Sequence, residues 1–123
     1  MDHSPGFLQI VGAARAHVRE VSREEARVRL AANPRAVLLD VREPWEHELC
    51  HLPGDVLVPL GELDERLDEV PRTDALVVCY CHHGVRSLHA AAYLQGQGWP
   101  QVASLAGGID AWSRLVDPSL RRY

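Results

Sequence analysis

Residues 75–87 read ALVVCYCHHGVRS, and this stretch decides the fold. It begins with a continuous apolar run, residues 75–79, which is typical of a strand covered on both faces. Cys81 and Gly84 follow within a short loop. Beyond the loop, small and apolar residues recur at helical positions i, i+3, i+4 and i+7: Ser87, Ala90, Ala91 and Leu94. The segment therefore predicts a buried strand, a tight loop and a helix in immediate succession.

The flanking sequence alternates strand and helix patterns in the same way. Three further apolar runs favour strands: residues 36–39, 56–58 and 102–105. Helix patterns separate them: a helix beginning at Ser22 and ending before Asn33, then residues 44–50, 61–70 and 109–116. This alternation predicts an α/β fold with a mainly parallel central sheet of about five strands and helices on both faces.

The first of these helices has clear boundaries. Ser22 with Glu25 three residues later forms a capping-box pattern. Ala26 and Leu30 lie one turn apart on one face, and Pro34 ends the helix because proline disfavours helical geometry in the preceding residue. This segment is therefore expected to pack one side against the sheet.

The length of 123 residues suits one domain with one core. Hydrophobic residues make up 46% and charged residues 24%, which are ordinary values for a globular protein. Residues 1–16 show no sustained periodicity. The chain is therefore divided into an N-terminal extension, residues 1–16, and a folded domain, residues 17–123.

Composition excludes several classes of function. All thirteen basic residues are arginine, which excludes a Schiff-base lysine and a phosphate-loop lysine. The net charge of -4 argues against a nucleic-acid partner. The chain has no run of 18 apolar residues and no basic segment before an apolar one at its start, so a cytoplasmic protein without a membrane segment is expected. Three cysteines, an odd number, favour free or catalytic thiols over a disulfide framework.

Cys81 is the candidate nucleophile. It lies at the carboxyl end of a predicted buried strand, the edge where open α/β sheets bind ligands. Inward-facing amides of a tight loop and the positive start of the next helix stabilise an anion there. Gly84 permits the turn, and Arg86 adds a cation. Cys81 is therefore expected to be reactive at neutral pH, as a thiolate or persulfide.

Four segments resemble the rhodanese family in the family's order. CHHGVRS (81–87) is similar to the active-site loop of rhodaneses, and LLDVREPWE (38–46) to their DVRE segment. CHLPGDVLVPL (50–60) resembles the segment that reads GHIPGA, and LAGGIDAW (105–112) the closing segment with two glycines and a tryptophan. The chain departs from the family at Cys50, where many relatives have glycine, and at Asp55, where a small residue is usual.

The resemblance implies a single rhodanese-type domain and a sulfurtransferase that works without a cofactor. Cys81 would attack the outer sulfur of a donor such as thiosulfate or a low-molecular-weight persulfide, and then pass that sulfur to a nucleophilic acceptor. The tail VDPSLRRY also resembles the end of rhodanese domains that are fused to enzymes activating ubiquitin-like sulfur carriers. Such a carrier or its activating enzyme is therefore a candidate partner. The implied persulfide-binding loop consists of His82, His83, Gly84, Val85, Arg86 and Ser87.

Two interpretations remain open for several residues. His82 and His83 either orient the substrate and tune the thiol, or only supply inward-facing amides. Asp40 and Arg42 either brace the loop by hydrogen bonds or form a plain structural ion pair. Cys79, Trp45 and Trp112 are interpreted as core, with a resolving-thiol role as the alternative for Cys79. Cys50 is interpreted as a semi-buried small hydrophobe.

No metal is expected, because His47 and His51 at i and i+4 match no common zinc template. Two rival functions remain. A cysteine phosphatase or arsenate reductase also closes a thiolate loop with arginine, but needs five intervening residues where only four separate Cys81 from Arg86. A non-catalytic binding or regulatory module of the same fold typically lacks the cysteine that is present here.

Overall fold

The structure is a computed structural model that describes residues 18–115 and Ser119. The extension at residues 1–16, Val116 and most of the VDPSLRRY tail lie outside the described residues. Five strands form one sheet in the order β1-β5-β4-β2-β3, and every neighbouring pair is parallel. The strands are β1 (Arg19–Val21), β2 (Val37–Asp40), β3 (Val56–Leu57), β4 (Val77–Tyr80) and β5 (Val102–Leu105).

Within residues 18–115, four α-helices connect the strands and cover both faces of the sheet. They are α1 (Arg23–Ala32), α2 (Pro44–Leu49), α3 (Val85–Gly96) and α4 (Gly108–Leu115). Residues alternate between the faces along β4: Val77 and Cys79 pack with α3, whereas Val78 and Tyr80 pack with residues of α1 and α4. The predicted α/β sheet with helices on both faces is confirmed. Among the described residues, no helix has the length and apolar character needed to cross a membrane.

The ends of α1 agree with the sequence analysis. The Ser22 hydroxyl accepts a hydrogen bond from the backbone N–H of Glu25 at 3.1 Å, and the helix ends at Ala32, directly before Asn33-Pro34. The Glu25 carboxylate pairs with Arg19 and Arg29. Ala26 is buried and Leu30 packs against the same cluster, as their spacing predicts.

Two expectations about local structure were wrong. Residues 61–70 do not form one helix but two short 3₁₀ turns, Leu60–Glu62 and Leu67–Glu69. Like charges four residues apart in this acidic segment destabilise a continuous α-helix, and the turns still bury Leu63 and Val70. Trp45 is not core: it is 58% exposed, because α2 turns Glu46 inward instead.

The sequence analysis assigned no strand to residues 18–21, and the structure makes Arg19–Val21 the edge strand β1. Its pairing with β5 joins Val21 to Leu105, which places the start of the domain beside its last strand. Sequence periodicity is weak over three residues, so the strand depends on this long-range partner.

The two glycines of the closing segment lie where α4 packs against the loop that follows β4. A Cβ at Gly108 would lie 2.4 Å from the carbonyl oxygens of Cys81 and His82, and the residue has a φ of 60°. The backbone N–H groups of Ile109 and Asp110 donate to those same carbonyls at 2.9 and 3.2 Å. Close approach of α4 therefore requires glycine at position 108.

We expect Gly108→Ala to lower the free energy of unfolding by more than about 1 kcal/mol, because the new Cβ meets backbone atoms at a positive φ. Gly96→Ala is the matched control, since its Cβ meets no atom within 4 Å, and it should be neutral or stabilising. Urea unfolding measures both. Equal stabilities of the two variants would contradict the close packing of α4 on the loop.

Candidate active site

Cys81 directly follows β4, the middle strand of the sheet, and its loop closes at the start of α3. Gly84 has a φ of 109° and immediately precedes Val85, the first residue of the helix. Only glycine adopts this backbone angle without strain, as the sequence analysis inferred. Cys81 is buried, at 1% exposure. The thiol thus lies at the carboxyl edge of the sheet, beneath its own loop.

The Cys81 sulfur is surrounded by hydrogen-bonding groups. The backbone N–H of Gly84 donates to Sγ at 3.1 Å, and Sγ lies 3.5 Å from the Ser87 hydroxyl. That hydroxyl in turn contacts the Ser104 hydroxyl on β5 at 2.7 Å. An amide donor and the positive first turn of α3 both favour negative charge on this sulfur.

Two carbonyl groups of the loop face α4. Those of Cys81 and His82 accept hydrogen bonds from the first turn of α4. Because the C=O and N–H of a trans peptide point in opposite directions, the amides of His82 and His83 face away from α4. This orientation agrees with the interpretation in which the two histidines contribute backbone donors to the loop.

The His82 and His83 rings stack at 4.0 Å between their centroids, but their surroundings differ. His83 is exposed, whereas His82 is partly buried and lies 3.9 Å from the Asp110 carboxylate. Burial, followed by the neighbouring His83, lowers the pKa of His82, and Asp110 opposes the shift. His82 is therefore neutral at pH 7. The exposed residues His83 and Val85 form the outer rim of the loop.

Arg86 is held by a residue that the sequence analysis missed. Its guanidinium donates to both carboxylate oxygens of Glu46 at 2.6 and 2.9 Å, a bidentate ion pair between α3 and α2. The Glu46 side chain is 4% exposed and also accepts from the backbone N–H of Glu43. The Glu43-x-x-Glu46 spacing beside Pro44 was the sequence signal for this inward carboxylate.

Asp40 and Arg42 form a fully buried pair, with both side chains at 0% exposure. The Arg42 guanidinium donates to both Asp40 carboxylate oxygens, at 2.9 and 2.8 Å. It also donates to the backbone carbonyls of Cys50 at 2.7 Å and Glu46 at 3.4 Å. The pair thus holds the carboxyl end of α2, the helix that carries the carboxylate partner of Arg86.

The other two cysteines have different environments from Cys81. Both are free and buried. Cys79 is inside the sheet, and burial followed by the nearby Cys81 raises the pKa of its thiol. Cys50 packs in the cluster on the opposite face. Cys79 is in the core as expected, whereas Cys50, expected to be semi-buried, is buried at 8% exposure.

A cysteine at the carboxyl end of the central parallel strand, contacted by a glycine amide and followed at once by a helix, defines a class of α/β domain with a cysteine-bearing loop at the sheet edge. The family model described as the rhodanese-like domain matches residues 22–115. The chain belongs to the rhodanese-like family.

Similar proteins agree with this assignment. A protein named sulfurtransferase from Allochromatium vinosum is 39% identical over 97 residues, which cover 79% of this chain and 90% of that protein. YrkF of Bacillus subtilis, whose name gives it as a candidate sulfur carrier protein, is 34% identical over 78% of this chain, which spans 51% of YrkF. The structure of the human single-domain sulfurtransferase TSTD1 superposes with a TM-score of 0.70 at 27% identity, covering 80% of this chain and 97% of that one.

We expect Glu46→Gln to lower the free energy of unfolding by about 1–3 kcal/mol, because it leaves a partly buried guanidinium without its carboxylate. Glu48→Gln, an exposed position on the same helix, should change it by less than about 0.5 kcal/mol. Urea titration of both variants makes the comparison. A neutral Glu46→Gln would show that the ion pair contributes nothing to stability.

Acidification should destabilise the protein in part through His82. Its pKa in the folded state lies below the ordinary value of 6.5, so the unfolded chain binds more protons as the pH falls through that value. Stability is then lost between neutral and mildly acidic pH. His82→Asn should flatten the slope of unfolding free energy against pH, and an unchanged slope would refute this role for the imidazole.

Proposed function

We propose that this protein is a sulfurtransferase that carries a sulfane sulfur as a persulfide on Cys81. The observation that supports this most directly is the hydrogen bond from the Gly84 N–H to Sγ of Cys81. That donor, together with the first turn of α3, stabilises the negative charge of the attacking thiolate and of the persulfide that follows.

The transfer takes two balanced steps. The Cys81 thiolate attacks the outer sulfur of thiosulfate, a sulfur–sulfur bond forms on Sγ, and sulfite leaves with the electron pair of the broken bond. A nucleophilic acceptor then attacks the outer persulfide sulfur, and the Cys81 thiolate is released. In the cyanide reaction, the second product is thiocyanate. Neither step needs a metal ion or an organic cofactor.

The remaining loop residues act mainly by position. Gly84 and Ser87 contact the sulfur, and the amides of His82 and His83 face away from α4. Arg86 is a positioning residue, because its ion pair with Glu46 anchors α3 to α2. We assign Asp40 and Arg42 to the support of α2, which combines the two interpretations that the sequence analysis left open.

The loop size favours sulfur over phosphate as the transferred group. Four residues separate Cys81 from Arg86, one fewer than a phosphatase loop needs to surround a tetrahedral anion. The Glu46 carboxylate also accepts hydrogen bonds from Nη1 and Nη2 of Arg86, the two groups that would bind a phosphate. A non-catalytic module would have no use for the sulfur-directed Gly84 amide.

The physiological donor is proposed to be thiosulfate or a low-molecular-weight persulfide, and the setting the cytoplasm. A ubiquitin-like sulfur carrier or its activating enzyme is the proposed macromolecular partner, supported by the similarity to YrkF. The exposed rim at His83 and Val85 is where an acceptor reaches the buried sulfur.

Reduced protein incubated with thiosulfate and then desalted should gain the mass of one sulfur atom, and cyanide should remove it as thiocyanate. Cys81→Ser should abolish the gain, whereas Cys50→Ala should retain it. Intact-mass spectrometry and a colorimetric thiocyanate assay provide the readouts. If neither thiosulfate nor glutathione persulfide produces an adduct on a thiol that still reacts with iodoacetamide, sulfur transfer is the wrong function.

A further inference from the structure

Ser104 is a polar residue in the interior of the sheet, where the packing of the core gives it no role. It lies on β5 and is 1% exposed, within a stretch that the sequence analysis interpreted as an apolar run. It pairs in register with Cys79 on β4, on the face of the sheet that packs against α3. A buried hydroxyl is costly unless it is hydrogen-bonded, so its partner indicates what it does.

The Ser104 hydroxyl belongs to a chain of hydrogen bonds that ends at the candidate nucleophile. Its Oγ lies 2.7 Å from Oγ of Ser87, and Ser87 Oγ lies 3.5 Å from Sγ of Cys81. Among the described residues, Ser87 is the one hydrogen-bond partner of the Ser104 side chain, and the Ser87 side chain has Ser104 and Cys81 as partners. Both serines are shielded from solvent, at 0% and 1% exposure.

A chain of two hydroxyl groups can point in either direction. When it points toward the sulfur, Ser104 donates to Ser87, Ser87 donates to Sγ of Cys81, and both hydroxyl hydrogens are used. When it points away, the thiol donates to Ser87 and Ser87 donates to Ser104, whose own hydrogen then has no acceptor in the described part of the chain. Because a buried donor without an acceptor costs free energy, the chain favours the direction that ends on the sulfur.

Negative charge on the sulfur strengthens this preference. A thiolate can only accept hydrogen bonds, and a hydrogen bond to a charged acceptor is stronger than one between neutral groups. Hydrogen bonds in a chain also polarise one another, so donation from Ser104 makes Ser87 a better donor. The Ser87 hydroxyl then joins the Gly84 N–H as a second donor to Sγ of Cys81.

We propose that Ser104 is a positioning residue that directs the Ser87 hydroxyl onto the sulfur whenever Cys81 is a thiolate. It is buried on β5 and reaches the sulfur only through Ser87. Its importance in turnover rests on the proposed sulfur transfer, in which the Cys81 thiolate attacks in the first step and leaves in the second. Ser104 therefore acts on both steps.

Alkylation of Cys81 by iodoacetamide over a pH series tests this role without sulfur transfer. The rate is measured on the Cys81 peptide by mass spectrometry; the midpoint of the pH profile reports ionisation, and the plateau reports access. Ser104→Ala should raise the midpoint by about half a pH unit, which slows alkylation roughly threefold below the midpoint. Ser104→Thr keeps the hydroxyl and should keep the midpoint. The double variant Ser87→Ala/Ser104→Ala should shift no further than Ser87→Ala alone, because Ser104 acts through Ser87.

Ser22→Ala is the matched control, because it also removes a hydrogen-bonded hydroxyl but does so at the start of α1. It should lower the unfolding temperature and leave the midpoint for Cys81 unchanged. An unchanged midpoint in Ser104→Ala would overturn the proposal. Additive shifts in the double variant, or an equal shift in Ser104→Thr, would overturn it as well.

The outcome for Ser104 is separate from the outcome for sulfur transfer. Alanine has nearly the volume of serine, so Ser104→Ala is expected to retain the fold, which its urea unfolding curve checks. The predicted midpoint shift, combined with no sulfur adduct from thiosulfate or glutathione persulfide, would contradict the proposed function and leave the role of Ser104 in place. A normal adduct with an unchanged midpoint would do the reverse.

Discussion

The packing of α4 against the loop after β4 is the constraint on which the rest of the site depends. The absence of a side chain at Gly108 lets the first turn of α4 donate hydrogen bonds to the carbonyls of Cys81 and His82. With those carbonyls held on one side, the loop amides lie on the other, and the Gly84 N–H meets the Cys81 sulfur. A contact between two distant segments thus sets the chemistry of the thiol.

Buried charge organises the opposite side of the loop. Arg42 satisfies Asp40 and two backbone carbonyls of the α2 region, and Glu46 on the same helix binds Arg86. Charges buried this deeply are tolerated because each is paired and hydrogen-bonded, and removal of one partner is costly. The network therefore couples the end of β2 to the helix that follows the Cys81 loop.

Much of this arrangement follows from local pattern. The apolar run before Cys81 and the small residues after Gly84 predict β4 and α3, because burial on two faces and on one helical stripe leave distinct periodicities. The Ser22 cap and Pro34 mark the limits of α1 for similar local reasons. The acidic segment at residues 61–70 does not form the expected helix, because its like charges four residues apart oppose a continuous one.

The amino-acid sequence by itself determined the class of fold, most of its strands and helices and the position of Cys81 after a buried strand, since these depend on neighbours in the chain. Only the tertiary structure decided that Glu46 binds Arg86, that Trp45 faces solvent and that Asp55 lies beside His47. The physical reason is that helix phase and turn geometry are settled by packing between segments far apart in sequence. The residues of a short motif do not specify which distant segment they will pack against.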